Sequence, residues 1–285
     1  MTSRFTRGFP VLFVLLWSTG FIGARLGLPH APPLTFLSIR YVIVIGCMVI
    51  VAVVMRAPWP ASARAWLHIG IAGLLIHGVY LGGVFIAISK GLPAGVAALV
   101  VGVQPLLTAV GAGWLLKETV LSRQWIGLLL GFLGVGLVVF AKLGDGFGMA
   151  ALVPAITALL GITAGTLYQK RYCPPFDWRT GGVAQFLPTA VVTAMLALST
   201  ETLPVVWTGE LVFALAWLVF VLSIGAVSLL NWLIRHSGAV NVASLFYLVP
   251  PCTALVAWVL FGETFSGMAM VGMAVTVWGV YWARK

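Results

Sequence analysis

The sequence predicts an all-α integral membrane protein with ten transmembrane helices, arranged as two inverted five-helix repeats. Three observations predict it: a scarcity of charge, the spacing of the apolar runs, and self-similarity at a fixed offset. Of the 285 residues, 61% are hydrophobic and 8% are charged, against about 25% charged in an average soluble domain. So few charges would leave a soluble fold of this size covered in apolar patches. The same composition excludes disordered, collagen-like and disulfide-scaffold classes. The three cysteines are scattered, Cys47 and Cys252 in apolar runs and Cys173 in a connection. They provide neither a disulfide framework nor a metal spacing.

A membrane-crossing helix needs roughly 20 apolar residues, and ten such runs use nearly the whole chain. The first, 9–27, follows Arg4 and Arg7 and carries Trp17, Ser18 and Arg25; it is longer than a signal-peptide core and reads as a retained helix. Run 33–55 holds Arg40, the one charge well inside a span. His77 and Tyr80 lie three apart in 65–88, and Gln104 and Thr108 four apart in 94–116. These spacings put each pair on one helix face. Run 123–142 is apolar and glycine-rich. Thr163 and Tyr168 belong to 149–169, Gln185 to 180–199 and Ser223 to 210–233. Ser244 and Tyr247 fall in 239–261, and 267–283 is the tenth run. Many tryptophans, Trp59, Trp66, Trp125 and Trp178 among them, sit at run ends as interfacial belt residues.

Basic residues orient the bundle. With the N-terminus inside, twelve of the sixteen Lys and Arg fall on the inner side, including Arg56, Arg64, Lys170, Arg179 and Arg235. Arg25, Lys90 and Lys142 fall outside. Both termini are therefore expected on the cytoplasmic side. Because the basic residues are dispersed, the net charge of +10 implies no nucleic-acid partner.

Sliding the chain against itself by 145 residues places Pro105 on Pro250, Thr108-Ala109 on Thr253-Ala254, and Leu115 on Leu260. The same offset places Glu118-Thr119 on Glu263-Thr264, Gly127 on Gly272, Gly134-Val135 on Gly279-Val280, and Gly20 on Gly165. The expected units are 1–143 and 144–285. Each has an odd number of helices, so the second enters the membrane upside down, a common build for secondary transporters.

These residues resemble the EamA-type repeats of the drug/metabolite transporter superfamily. The likeness is carried by Trp17-Ser18-Thr19-Gly20-Phe21, Arg40, and Pro105 through Leu116-Lys117-Glu118-Thr119 to Gly127 and Gly134. It recurs from Pro250 through Phe261-Gly262-Glu263-Thr264 to Gly272 and Gly279. It covers essentially the whole chain. Lys117 departs from it, since the family usually has Gly there, as Gly262 is in the second copy. The nearest subgroup is the bacterial amino-acid exporters, the aromatic type in particular. The resemblance implies export of amino acids, aromatic and other neutral ones, across the inner (plasma) membrane by alternating access. Export of drugs, purines or other small metabolites is the alternative within that class. A lipid scramblase or an integral membrane enzyme is the alternative outside it.

The sequence contains no phosphate-binding loop, metal-spaced cluster or nucleophile set, so no catalytic residue, metal or cofactor is expected. Asp145, Asp177, Glu201 and Glu210 fall in connections and Glu118 and Glu263 at run ends, leaving no carboxylate near mid-membrane. A path of hydroxyls, amides and aromatics without an acid suits a small zwitterion or neutral metabolite. Its candidate substrate-binding residues are Trp17, Ser18, Arg25, Arg40, His77, Tyr80, Gln104, Thr108, Thr163, Tyr168, Gln185, Ser244 and Tyr247. The alternative for the hydroxyls and amides is interhelical hydrogen bonding; for Arg40 it is snorkelling, and for any aromatic it is packing. Pro105 and Pro250 are candidate hinges or static kinks. Glu118 and Glu263 are candidate gates or interfacial caps. Gly23/Gly27, Gly78/Gly82, Gly127/Gly131 and Gly161/Gly165 predict close helix contacts. The expected partners are a small-molecule substrate and the bilayer, and a monomer is compatible with all of this.

Overall fold

The computed structural model describes residues 8–92, 97, 100–140, 149–261 and 266–283. Its helices are α1 Phe9–Gly27, α2 Pro33–Val54, α3 Ala63–Ser89, α4 104–116, α5 Ser122–Phe140, α6 Met149–Tyr172, α7 Trp178–Thr200, α8 Gly209–His236, α9 239–261 and α10 Gly267–Ala283. No strand forms among the described residues. Helices α1, α2, α3, α6, α7 and α8 are each long and apolar enough to cross a bilayer. Val54, Leu133, Leu198 and Val259 are largely exposed on the outside of the bundle, where lipid rather than water suits them. The protein is a multi-pass membrane protein.

The helix starts are chemically marked. Ser62 Oγ accepts from Ala65 N at 3.1 Å and Thr208 Oγ1 from Leu211 N at 3.2 Å, each satisfying an orphan donor of the first turn. Acidic groups do the same across the fold. The Glu201 carboxylate accepts from Leu34 N at 2.8 Å and Thr35 N at 2.7 Å at the head of α2. Glu118 accepts from Ala239 N at 3.1 Å at the head of α9. An anion there also complements the helix dipole.

Helix pairing respects the sequence offset. α5 packs on α10 and α2 on α7. α1 lies against α8 and α9, as α6 lies against α3 and α4, and α3 meets α7 as α8 meets α2. Each pairing maps onto itself or onto another when the first five helices exchange with the second five. Most irregularities follow the same rule, the exception being the π-helical turn Ala112–Leu116 of α4, whose counterpart in α9 is α-helical. α3 widens into π-helical turns over Leu74–Leu81 and α8 over Leu218–Ala226. A turn at 102–103 precedes α4, and a 3-10 segment, Leu245–Leu248, interrupts α9 before Val249. Pro105 and Pro250, the candidate hinges or kinks, thus stand at helix restarts rather than inside unbroken helices. Each proline lies in the first turn of the segment following a break, where its missing N–H leaves no bond unmade.

Glycines bring α5 and α10 together. A Cβ on Gly134 would lie 2.5 Å from Thr276 N, one on Gly127 2.6 Å from Gly279 O, and one on Gly279 2.7 Å from Gly127 O. Gly161 and Gly165 likewise meet the widened turns of α3, where a Cβ on Gly161 would lie 3.0 Å from Tyr80 N. Gly78 and Gly82 do not mark such an approach, because their nearest neighbours are 3.6 and 3.8 Å away and are side chains. Replacing Gly134 by Leu should force α5 off α10, at a cost of at least about 2 kcal/mol, read as a lower Tm or loss of the monodisperse species in detergent. Gly136, with nothing within 4 Å of its would-be Cβ, should accept Ala with unchanged or higher Tm.

Lys117 ends α4 with φ 55° and ψ 28°, the left-handed region that favours glycine. This is the physical reason that glycine suits the position. Lys117→Gly should raise stability by about 0.5–1 kcal/mol, seen as a Tm increase.

Candidate functional site

Four of the helix irregularities, the widened turns of α3 and α8 and the breaks before Pro105 and Pro250, converge on one place. Trp17 of α1 and Tyr80 of the widened α3 lie parallel, ring centroids 6.4 Å apart and planes 9° apart. Phe246, in the 3-10 segment of α9, stands edge-on to Trp17 at 5.5 Å. On one side of this pair is a cavity of about 40 Å³ bordered by Gly20, Arg40, Phe85, Leu218 and Leu222. On the other, a smaller pocket is bordered by Val101, Gly102, Val249 and Pro250, so both helix breaks open beside the same two rings. Arg40 is 3% exposed, and its Nε donates to Ser223 Oγ at 3.0 Å. Among the described residues it is the one buried Asp, Glu, Lys or Arg. Such a charge is costly in a bilayer unless it faces a cavity or a partner.

Ser18 Oγ donates to Val14 O at 2.7 Å and reaches Val249 O at 3.3 Å, while Thr253 Oγ1 donates to Ser18 O at 3.1 Å. These bonds tie α1 to the restart of α9 beside Trp17. Ser18 thus supports the cavity without bordering it.

The other candidates are dispersed. His77 lies away from the cavity, stacked on Phe186 at 4.3 Å, with neither ring nitrogen partnered. Its carbonyl accepts from the Tyr41 hydroxyl at 2.7 Å. Gln104, Thr108 and the Tyr247 hydroxyl are buried without hydrogen-bond partners, and Tyr247 packs in a core with Ala109, Leu128 and Val135. Thr163 Oγ1 donates to Leu159 O at 2.8 Å and Ser244 Oγ to Asn241 O at 3.0 Å, so both are spent locally. Tyr168 is not in the cavity either. Its hydroxyl lies 2.7 Å from His68 Nδ1 in an aromatic cluster with Tyr172, near the end of α6. Arg25 is exposed near the end of α1 and does not border the cavity. Glu118 caps α9, and Glu263 lies outside the described residues.

Two amides went unmarked in the sequence. Gln169 Nε2 donates to Asn231 Oδ1 at 2.9 Å, Asn231 Nδ2 to Gln185 Oε1 at 3.0 Å, and Gln185 Nε2 to Gln169 Oε1 at 3.0 Å. The signal available was that Gln169 and Asn231 are amides at the edges of apolar runs. Their convergence needs the packing of α6, α7 and α8. Asn231 also borders a vestibule of about 730 Å³, open at the end of the bundle carrying Pro58, Phe176, Asp177, Trp178, Trp232 and Arg235. There Arg235 donates to Phe176 O at 2.6 Å. Hydrogen bonds from Arg179 hold the Asp177 carboxyl below the usual carboxylate range.

The model of the EamA-like transporter family matches the chain twice, over residues 9–140 and 149–284. A probable amino-acid metabolite efflux pump of Salmonella typhimurium is 26% identical over 283 residues, spanning 95% of this chain and 92% of its own. The uncharacterised inner membrane transporter YedA of Escherichia coli K12 is 25% identical over 278 residues, 95% of this chain and 89% of its own. The uncharacterised transporter YdfC of Bacillus subtilis is 26% identical over 281 residues, 94% and 87% respectively. A protein of known crystal structure superposes with a TM-score of 0.77 at 23% identity, over 96% of this chain and 94% of its own, and so has the same fold.

The lowered pKa of Asp177 sets one pH dependence. Its folded value lies below the ordinary 3.8, so the charged group stabilises fully above about that pH, and the contribution is lost as pH falls through the folded value. Asp177→Asn keeps a cap but loses the charge. Its Tm in detergent should lie below that of the parent at neutral pH, and the gap should close in acid.

Proposed function

The chain belongs to the EamA-like transporter family, and from that premise we propose that it is a secondary transporter exporting amino acids, aromatic and other neutral ones, across the inner membrane by alternating access. In this reading all ten helices span the bilayer, both termini are cytoplasmic, and units 1–143 and 144–285 are inverted with respect to each other. The offset of 145 residues, the exchangeable helix pairings, and the widened turns recurring in α3 and α8 support that arrangement.

The observation that carries the substrate reading is Arg40 beside Trp17 and Tyr80. Among the described residues no Asp or Glu is buried, so a ligand carboxylate is the anion that would complete the guanidinium's surroundings. With Nε held by Ser223, the terminal nitrogens provide the fork that pairs with a carboxylate. The aromatic faces receive an apolar side chain or an ammonium group. A permanent cation finds no acid here.

The cavity, at about 40 Å³, holds a few waters but no amino acid. Loading therefore requires α1, α3 and α8 to separate. The widened turns are where such helices rearrange most readily, and the breaks preceding Pro105 and Pro250 serve as hinges. Glu118 holds the head of α9 from the other half and acts as a latch at the cytoplasmic end. Purified protein in liposomes should show saturable exchange of radiolabelled phenylalanine. Arg40→Gln should lower it at least tenfold, as loss of a charge-assisted bond predicts. Flux of drug cations or scrambling of labelled lipid, without amino-acid flux, would overturn the reading.

A further inference from the structure

The strongest unassigned feature is the floor of the vestibule. Gln185 lies at the offset of 145 residues from Arg40, and Phe186 from Tyr41, so the second helix of each half carries a buried polar side chain at the same place. In the first half that side chain borders the narrow cavity. In the second it is one member of the three-amide ring with Gln169 and Asn231, which are 3% and 4% exposed. The ring is not isolated, since Asn231 reaches the vestibule. Ser228, one turn earlier on α8, borders the same vestibule, and its buried hydroxyl has no hydrogen-bond partner. Buried hydroxyls are ordinarily paired; this one is unpaired and covered behind the vestibule wall, where a ligand that opens the floor would meet it.

The position of the ring along α8 gives it a place on a path. Ser223 holds Arg40, Val227 borders the Arg40 cavity, and Ser228 and Asn231 border the vestibule. From Ser223 to Asn231 is about 12 Å along a helix axis. The vestibule floor and the Arg40 cavity are thus neighbours on one helix, with Val227 bordering the cavity and the next residue, Ser228, bordering the vestibule.

We propose that Ser228, Asn231 and the amide ring behind them form a second binding station, which takes the polar head of a zwitterionic α-amino acid from the vestibule before it reaches Arg40. The proposal rests on the amino-acid reading given above. Within the ring each amide both donates and accepts, so a ligand that opens it without loss must bring both donors and acceptors. An ammonium with its adjacent carboxylate does so. A permanent cation or a simple hydrocarbon would leave ring groups unpaired, a loss that discriminates strongly when the site is buried. Trp232 and Phe176 wall the vestibule beside the floor and suit the apolar side chain.

Equilibrium binding of radiolabelled phenylalanine to the purified full chain tests this. The expected stoichiometry is two molecules per chain. Arg40→Gln should remove one and leave the other. Ser228→Ala is the cleaner probe of the second station, because that hydroxyl makes no bond in the fold and its loss should leave Tm unchanged. It should weaken the remaining site about two- to tenfold, the worth of one hydrogen bond; Asn231→Ala should weaken it further, and Asn231→Gln should recover part of the loss. One phenylalanine per chain, abolished by Arg40→Gln and indifferent to Ser228→Ala, would overturn the second station while leaving the transport reading intact. Absence of both binding and flux in the parent protein would overturn the transport reading and this proposal with it.

Discussion

A bilayer has no water to satisfy a backbone N–H or C=O, and the rest of this structure follows from that constraint. Irregular backbone is tolerated only where protein surrounds it or a cavity receives it. The turn at 102–103, the 3-10 segment Leu245–Leu248 and the widened turns of α3 and α8 each contribute a residue beside Trp17 and Tyr80. By contrast, α5 and α10 are regular helices locked by glycine against backbone. The molecule thus keeps a rigid pair at one edge and concentrates its deformable helices around the cavity.

Charge is distributed by the same logic. Carboxylates are placed at helix ends, where Glu118, Asp177 and Glu201 satisfy first-turn N–H groups. These are positions where an anion is both solvated and complemented by the helix dipole. Arg40 is the exception. A guanidinium in the interior whose one hydrogen bond among the described residues is to Ser223 is an incomplete electrostatic arrangement, and the proposed binding of a carboxylate-bearing ligand rests on that incompleteness.

Much of this was legible from the residues. Most of the apolar runs coincide with helical segments because twenty apolar residues in lipid have one stable backbone solution, whereas run 94–116 is interrupted by the turn at 102–103 and run 239–261 by the 3-10 segment Leu245–Leu248. Arg40, Trp17 and Tyr80 were legible as anomalies, being polar or amphipathic groups where only hydrocarbon was expected. The dispersal of the other candidates was not. Tyr168 and Trp17 look alike as aromatics within apolar runs, yet one stacks near a helix end and the other walls the cavity. Gly78/Gly82 has the same spacing as Gly127/Gly131, yet only the latter abuts another backbone. Spacing identifies a helix face; it does not say which helix that face meets. Gln169 and Asn231 escaped notice for the same reason, since each is unremarkable until α6, α7 and α8 bring three amides into one ring.

By itself, then, the sequence determined what could enter the membrane, where most of the described helices start and stop to within a few residues, and that two halves share one pattern. Those properties follow from local composition and from comparison of the chain with itself. Only the tertiary structure decided that both helix breaks open on the same pair of rings, that Arg40 meets Ser223, and that the polar residues of the second half close a ring at the foot of a vestibule. Each depends on contacts between residues more than a hundred positions apart or on three helices at once. Such contacts are selected by side-chain packing, which no periodicity in a single run encodes.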